Sequence, residues 1–216
     1  MNFIDILGQL VGGMGVSIEI FVVTLLLSLP LGLVVYFGRV SKCKIISAIF
    51  QVYISIMRGT PLMLQLMVVY FGPYYIFGIR VGSGYRLWAA LIGFALNYAA
   101  YFAEIYRSGF QSMPQGQYEA AQLLGYSKVQ TFFVIILPQV IKRILPAITN
   151  EVITLVKDTS LAFTISVTEM FTQAKALASS QASVVPYIAA ALFYYVFNAI
   201  VAWAMNRIEK KMSYYK

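Results

Sequence analysis

Four stretches of this chain run free of Asp, Glu, Lys and Arg for about as long as a helix needs to cross a bilayer. They are residues 20–38 between Glu19 and Arg39, 59–79 between Arg58 and Arg80, 87–103 between Arg86 and Glu104, and 176–206 between Lys175 and Arg207. Each is near or above the roughly 17–25 residues of a spanning helix. In hydrocarbon every backbone N–H and C=O must be satisfied within the protein, so windows of this kind fold as helices. Composition agrees. Of 216 residues, 60% are hydrophobic and only 11% charged, and the mean hydropathy is +0.77. A soluble domain conventionally carries about a quarter of its residues charged. The expectation is an all-α integral membrane protein.

The same numbers exclude several chemistries. Nucleic-acid binding wants a soluble basic face, and the net charge of +8 is instead what cytoplasmic loops rich in Lys and Arg leave behind. A single cysteine, Cys43, permits no internal disulfide and no Cys-based metal site, and the absence of His removes the usual general base. No G-x-x-x-x-G-K-[ST] occurs, so the chain carries no Walker-type ATPase site of its own. The first nineteen residues lack a basic n-region, which argues against a cleaved signal peptide.

Charge asymmetry orients the spans. Asp5 and Glu19 precede the first window without any Lys or Arg, whereas Arg39, Lys42 and Lys44 follow it. The N-terminus is therefore expected outside and the loop after the first span in the cytoplasm. Arg80 and Arg86 oppose the rule mildly. Arg207, Lys210, Lys211 and Lys216 place the C-terminus inside. Residues 104–128 return to the cytoplasm after the third span, so an even number of crossings must separate them from the C-terminus. The window at 176–206 supplies one; a second must lie in 129–175, despite Lys142, Arg143, Glu151, Lys157 and Asp158. The prediction is five spans, at about 16–39, 50–77, 87–110, 129–155 and 184–208, with a cytoplasmic loop at about 114–128. Charges and the prolines Pro138 and Pro146 within the fourth mark it as a helix that faces the bundle interior or a water-filled path. For Lys142 and Arg143 themselves, snorkelling to an interface is the preferred reading.

Three motifs sit on this frame. The first is Arg58-Gly59-Thr60-Pro61-Leu62 with Gln65. The second is Tyr101-x-Ala103-Glu104-Ile105-x-Arg107, continuing through Pro114-x-Gly116-Gln117 into Glu119-Ala120-Ala121, with Gly125 and then Ile135-Ile136-Leu137-Pro138. The third is Lys157-Asp158-Thr159-Ser160-Leu161. In this order and spacing they resemble the permeases of polar amino acid ABC uptake systems, the histidine, glutamine and arginine transporter subfamily, over nearly the whole chain. The resemblance implies a type I ABC importer fold with a cytoplasmic coupling helix. It further implies a homodimer or paralogous pair of permease subunits, two ABC ATPase subunits that bind ATP and Mg, and an extracytoplasmic solute-binding protein, in the cell (inner) membrane of a bacterium or archaeon. No cofactor is expected in this chain. By the same resemblance Glu119, Ala120, Ala121 and Gly125 dock into the ATPase.

Local physics gives the loop a compatible shape. Pro114 breaks the third helix, Glu119 is expected in the first turn of a short helix where a carboxylate complements the dipole, and Gly125 ends it in a left-handed turn. Ala120 and Ala121 allow close packing. Thr60 and Pro61 read as N-cap and first position of a helix, and Asp158 or Thr159 as caps of the next one.

A permease for a zwitterion needs acceptors for the ammonium and donors for the carboxylate, held away from water and lipid. Asn97, Tyr98, Tyr101 and Glu104 fall on one face of the third span. Gln65 lies one turn into the second, and Glu151, Asp158, Thr159 and Ser160 come from the fourth and its continuation. Glu104 has Arg107 at i+3 as an alternative partner. Available carboxylates suit a basic amino acid such as arginine. The rival readings are an ion-coupled secondary transporter, which would show inverted repeats or a strongly charged core, and a non-transporting membrane scaffold.

Overall fold

The computed structural model describes residues 3–212, and among them there is no β-strand; Lys216 lies outside the described residues. Long helices α1 (Phe3–Arg39), α4 (Tyr85–Gln111) and α9 (Val185–Met212) are separated by shorter ones. These are α2 (Lys44–Gly59), α3 (Leu62–Phe77), α5 (Gln115–Leu123), α6 (Lys128–Gln130), α7 (Leu137–Asp158) and α8 (Met170–Gln181). A π-helical turn, Thr131–Ile136, joins α6 to α7, and a 3₁₀ turn, Thr159–Ile165, leads on from α7. By length and apolarity Asp5–Arg39, Tyr85–Gln111, Lys128–Ile165 and Val185–Met212 each suffice to cross a membrane, and the bent pair α2–α3 makes a fifth when counted as one broken span. Five spans is the plan the windows and their parity predict.

α4 is the axis of the bundle. Its Ala89, Ala90, Phe94, Ala99, Ala100, Phe102 and Ala103 are fully buried, and α1, α2, α3 and α7 all pack against it. α1 offers it small and hydroxyl side chains: Ser17, Thr24 and Ser28 are fully buried. A Cβ on Gly32 would stand 2.8 Å from the Phe102 Cβ and 3.2 Å from the Ala99 carbonyl oxygen. Small residues on the contact face are how spanning helices bring their backbones together. The outward faces carry Leu26, Val34, Ile200 and Trp203, all exposed, as lipid-facing helices do.

The second crossing is not one helix. α2 and α3 meet at 112°, because Thr60 precedes a proline and is driven to extended backbone (φ −123°, ψ 149°). Pro61 is the N-cap of α3, not its first helical residue, and Thr60 turns back to donate to the Ile56 carbonyl at 2.8 Å. The fourth crossing is longer than its apolar stretch suggested. Ser127 and Gln130 form a capping box at its start. The π turn then precedes Pro138, which lacks an N–H and whose ring would crowd a regular carbonyl ladder.

Candidate functional site

The segment between α4 and α6 is a compact knob. Pro114 (φ −62°, ψ 137°) caps α5, so the helix opens at Gln115 and Glu119 is its fifth residue, beyond the first turn where the sequence placed it. The dipole argument for Glu119 therefore fails. Gly125 does adopt the left-handed conformation (φ +81°). Gly125 N donates to the Gln122 carbonyl and Tyr126 N to the Ala121 carbonyl, both at 3.0 Å, the paired bonds that close a helix C-terminus. Ala121 is 1% exposed and packs inward, whereas Glu119, Ala120 and Gly125 lie on the surface. Leu123 and Leu124 are 89% and 75% exposed. Sequence reasoning assigned these two leucines no role; their position next to the Gly125 stop was the available signal.

The polar residues proposed for the solute divide into two groups. Gln65 and Asn97 belong to the α2–α3 elbow. Breaking the helix at Thr60 leaves the last carbonyls of α2 without intrahelical donors. Asn97 Nδ2 reaches the Met57 carbonyl at 3.0 Å and Gln65 Oε1 at 2.9 Å, while Gln65 Nε2 reaches the Met57 carbonyl at 3.0 Å and Thr60 Oγ1 at 2.8 Å. They brace the bend.

The second group gathers where α4 faces α7. The hydroxyl of Tyr98, a residue 2% exposed, donates to Asp158 Oδ2 at 2.7 Å. Tyr101 and Glu151 line an open groove of about 500 Å³ together with Arg58, Glu104 and Arg143. The Arg58 guanidinium lies over the Tyr101 ring, 5.4 Å from its centroid. Thr159 and Ser160 are satisfied within their own chain. Their hydroxyls donate to the carbonyls of Val156 and Lys157, each at 2.8 Å, which the change from α to 3₁₀ winding leaves free. Neither Asp158 nor Thr159 makes a side-chain cap.

Glu104 is enclosed by arginines. Arg107 Nε and Nη2 donate to its Oε2 at 3.1 and 2.8 Å, Arg39 pairs with Oε1, and Arg58 stands 3.6 Å from Oε2. Arg143 does not extend to an interface alone: its Nη1 donates to the carbonyl and hydroxyl of Ser112. A second carboxylate, Glu169, was missed by the sequence reading. It is fully buried and caps α8 through Phe171 N and Thr172 N, both at 2.7 Å. Tyr194 of α9 and Ser17 of α1 also donate to it, at 3.0 and 3.4 Å. Among the described residues no cluster of His, Cys, Asp or Glu suited to a metal ion occurs.

Comparison with known proteins meets this geometry. The family described as binding-protein-dependent transport system inner membrane component matches residues 18–214. A probable amino-acid ABC transporter permease protein of Bacillus subtilis (strain 168) is 40% identical over 204 residues, covering 94% of this chain and 88% of its own length. The arginine transport system permease protein of the same organism is 36% identical, covering 93% of this chain and 90% of its own. An L-cystine transport system permease protein, also from it, is 37% identical over 98% of this chain and 91% of its own. Among solved structures, the crystal structure of an amino acid ABC transporter with histidines superposes with a TM-score of 0.87 at 29% identity, covering 98% of this chain and 99% of that one. An inward-facing form of the MetNI methionine ABC transporter shares the fold, with a TM-score of 0.69 at 17% identity over 95% of this chain and 94% of that one.

Proposed function

The chain belongs to the inner membrane components of binding-protein-dependent transport systems and is a permease subunit of an amino acid ABC importer; we propose that it is driven by ATPase subunits through the α5 knob and carries a polar amino acid, with a basic one such as arginine as the candidate. The observation that carries this reading is the knob itself. A short helix closed by a left-handed glycine, with Ala120 and two exposed leucines at its tip, offers a small apolar projection suited to a cleft on a partner. Glu119, Ala120, Ala121 and Gly125 set its shape, with Leu123 and Leu124 as its apolar contacts. In this reading α5 is cytoplasmic, the N-terminus outside, and the C-terminus inside.

The cargo passes between α4 and α7 of this subunit and the same helices of a second copy or paralogue. Tyr101, Glu151 and Asp158, the last held by the buried Tyr98 hydroxyl, present an aromatic face and carboxylates to an ammonium or guanidinium group. The arginine transport system to which one relative belongs agrees with that charge; the L-cystine transport system of another shows that related chains serve other cargoes. An extracytoplasmic solute-binding protein delivers the amino acid, and the chain itself performs no hydrolysis.

Purifying the chain from its host membranes with its bound partners tests this. ATP hydrolysis in proteoliposomes, measured with L-arginine, L-cystine and L-glutamine in turn, is expected to be stimulated by one of them together with the binding protein. Gradient-driven uptake by this polypeptide alone would establish a secondary transporter instead. A complex with no ATPase and no uptake would leave the scaffold reading.

A further inference from the structure

One carboxylate shared by three guanidinium groups from three helices needs a reason. Arg39 closes α1, Arg58 lies in the last turn of α2, and Arg107 is one turn beyond Glu104 in α4. Arg39 and Arg107 together occupy both oxygens of Glu104, whose side chain is 13% exposed. Glu104 therefore has little left to offer a solute. Arg58 is held least: at 3.6 Å it makes no hydrogen bond to Glu104, and its side chain is 44% exposed. It also lies over Tyr101 in the groove that Glu151 of α7 lines. Arg58 thus has two carboxylates to choose between, on two different helices.

On its other side Glu104 is wired to the knob. Arg107 Nη1 donates to Gln111 Oε1 at 2.5 Å, and Gln111 is the last residue of α4. The next residue, Ser112, receives Arg143 of α7. A continuous polar chain therefore runs from the α2–α3 elbow to the residue that precedes Met113, Pro114 and α5. α4 is an unbroken helix between these ends, so a displacement at Gln111 moves Glu104 with it.

We propose that Glu104 is a positioning residue for energy coupling, passing movement of the α5 knob through Arg107 to Arg58 and hence to the elbow. This rests on the reading of the knob as the ATPase contact. A two-position cation supplies the bistable element that such coupling requires: Arg58 rests against Glu104 in one arrangement and turns to Glu151 in the other. The function is mechanical, and it removes Glu104 from the solute contacts.

The test uses the complex in proteoliposomes with its co-purifying ATPase and binding protein. It measures basal and cargo-stimulated ATP hydrolysis and uptake of labelled L-arginine, L-cystine and L-glutamine. Glu104→Gln is expected to retain the ATPase and basal hydrolysis within about twofold, while uptake per ATP falls about tenfold, an ordinary size for a coupling effect. Arg58→Lys keeps a cation and retains coupling; Arg58→Gln loses it; the double variant Glu104→Gln, Arg58→Gln is no worse than Glu104→Gln alone. Normal stimulation and uptake in Glu104→Gln overturns the proposal, as do losses that multiply in the double variant. Should Glu104→Gln fail to insert, equal behaviour of Arg58→Lys and Arg58→Gln overturns it instead. If the wild-type complex holds no ATPase and shows no stimulation, the importer reading fails first and the role of Glu104 with it.

Discussion

Glu104 and Glu169 are both removed from solvent, yet they are satisfied by opposite means. Glu104, about two turns from the end of α4, is ringed by long side-chain cations that hold it from three helices. Glu169 has only neutral partners: two backbone amides of the α8 N-terminus, the Thr172 hydroxyl at 2.9 Å, Tyr194 and Ser17. Its charge is met by the dipole end of a helix and by short donors that have nowhere else to go. The region around it is correspondingly tight. Gly13 N donates to Gln173 Oε1 at 3.0 Å, and a Cβ on Gly13 would stand 2.7 Å from the Met170 Cα. One carboxylate fixes α1, α8 and α9 together. The other links α1, α2 and α4 through groups that can exchange partners. Where a machine must hold and where it must give is written in the kind of donor, not in the residue type.

The largest effect is expected from Glu169→Ala. It leaves two amides of α8 and the Tyr194 and Ser17 hydroxyls facing an empty acceptor, and it should cost about 3–5 kcal/mol, the range for breaking a buried charged network. Glu169→Gln keeps one carbonyl acceptor for the amides, and its loss should be about half as great. Unfolding temperatures of the purified protein in detergent decide this. Alanine and glutamine variants that unfold together would refute the capping role. At the other end of the scale is the response to salt. Raising ionic strength from 0.1 to 1 M shortens the screening length from about 10 to about 3 Å. Partly exposed Arg58 lies within reach of that screening and Glu169 does not. The stability difference between wild type and Arg58→Gln is expected to be under about 1 kcal/mol and to shrink with salt. That between wild type and Glu169→Gln should stay constant. A salt response in the Glu169 series and none in the Arg58 series would reverse the comparison.

Much of the architecture was legible because lipid leaves few choices. Windows without charge mark helices long and apolar enough to span, and the stretch 129–175, whose charges interrupt any such window, holds another such helix, Lys128–Ile165. The left-handed stop at Gly125 was legible too, since a glycine after a short alanine-rich helix has one common use. Glu119 was misplaced by a single local fact, that Pro114 starts the helix directly after itself. The partners of Asn97 and Gln65 were out of reach for a different reason. Their helical faces follow from the sequence, but what those faces meet depends on the 112° elbow. Glu169 shows the furthest limit. Thr172 is close in the chain, but its partners Ser17 and Tyr194 lie 152 and 25 residues away, beyond any local pattern.

The central claim is that force enters this permease at the knob after α4. Gly125→Asp tests it most directly, because a side chain at φ +81° strains the turn that closes α5 and a carboxylate intrudes on the contact surface. With the variant inserted in the membrane to wild-type level, the account predicts loss of the bound ATPase or of ATP-driven amino acid uptake. A Gly125→Asp protein that retains its ATPase and takes up amino acid at the wild-type rate would contradict it.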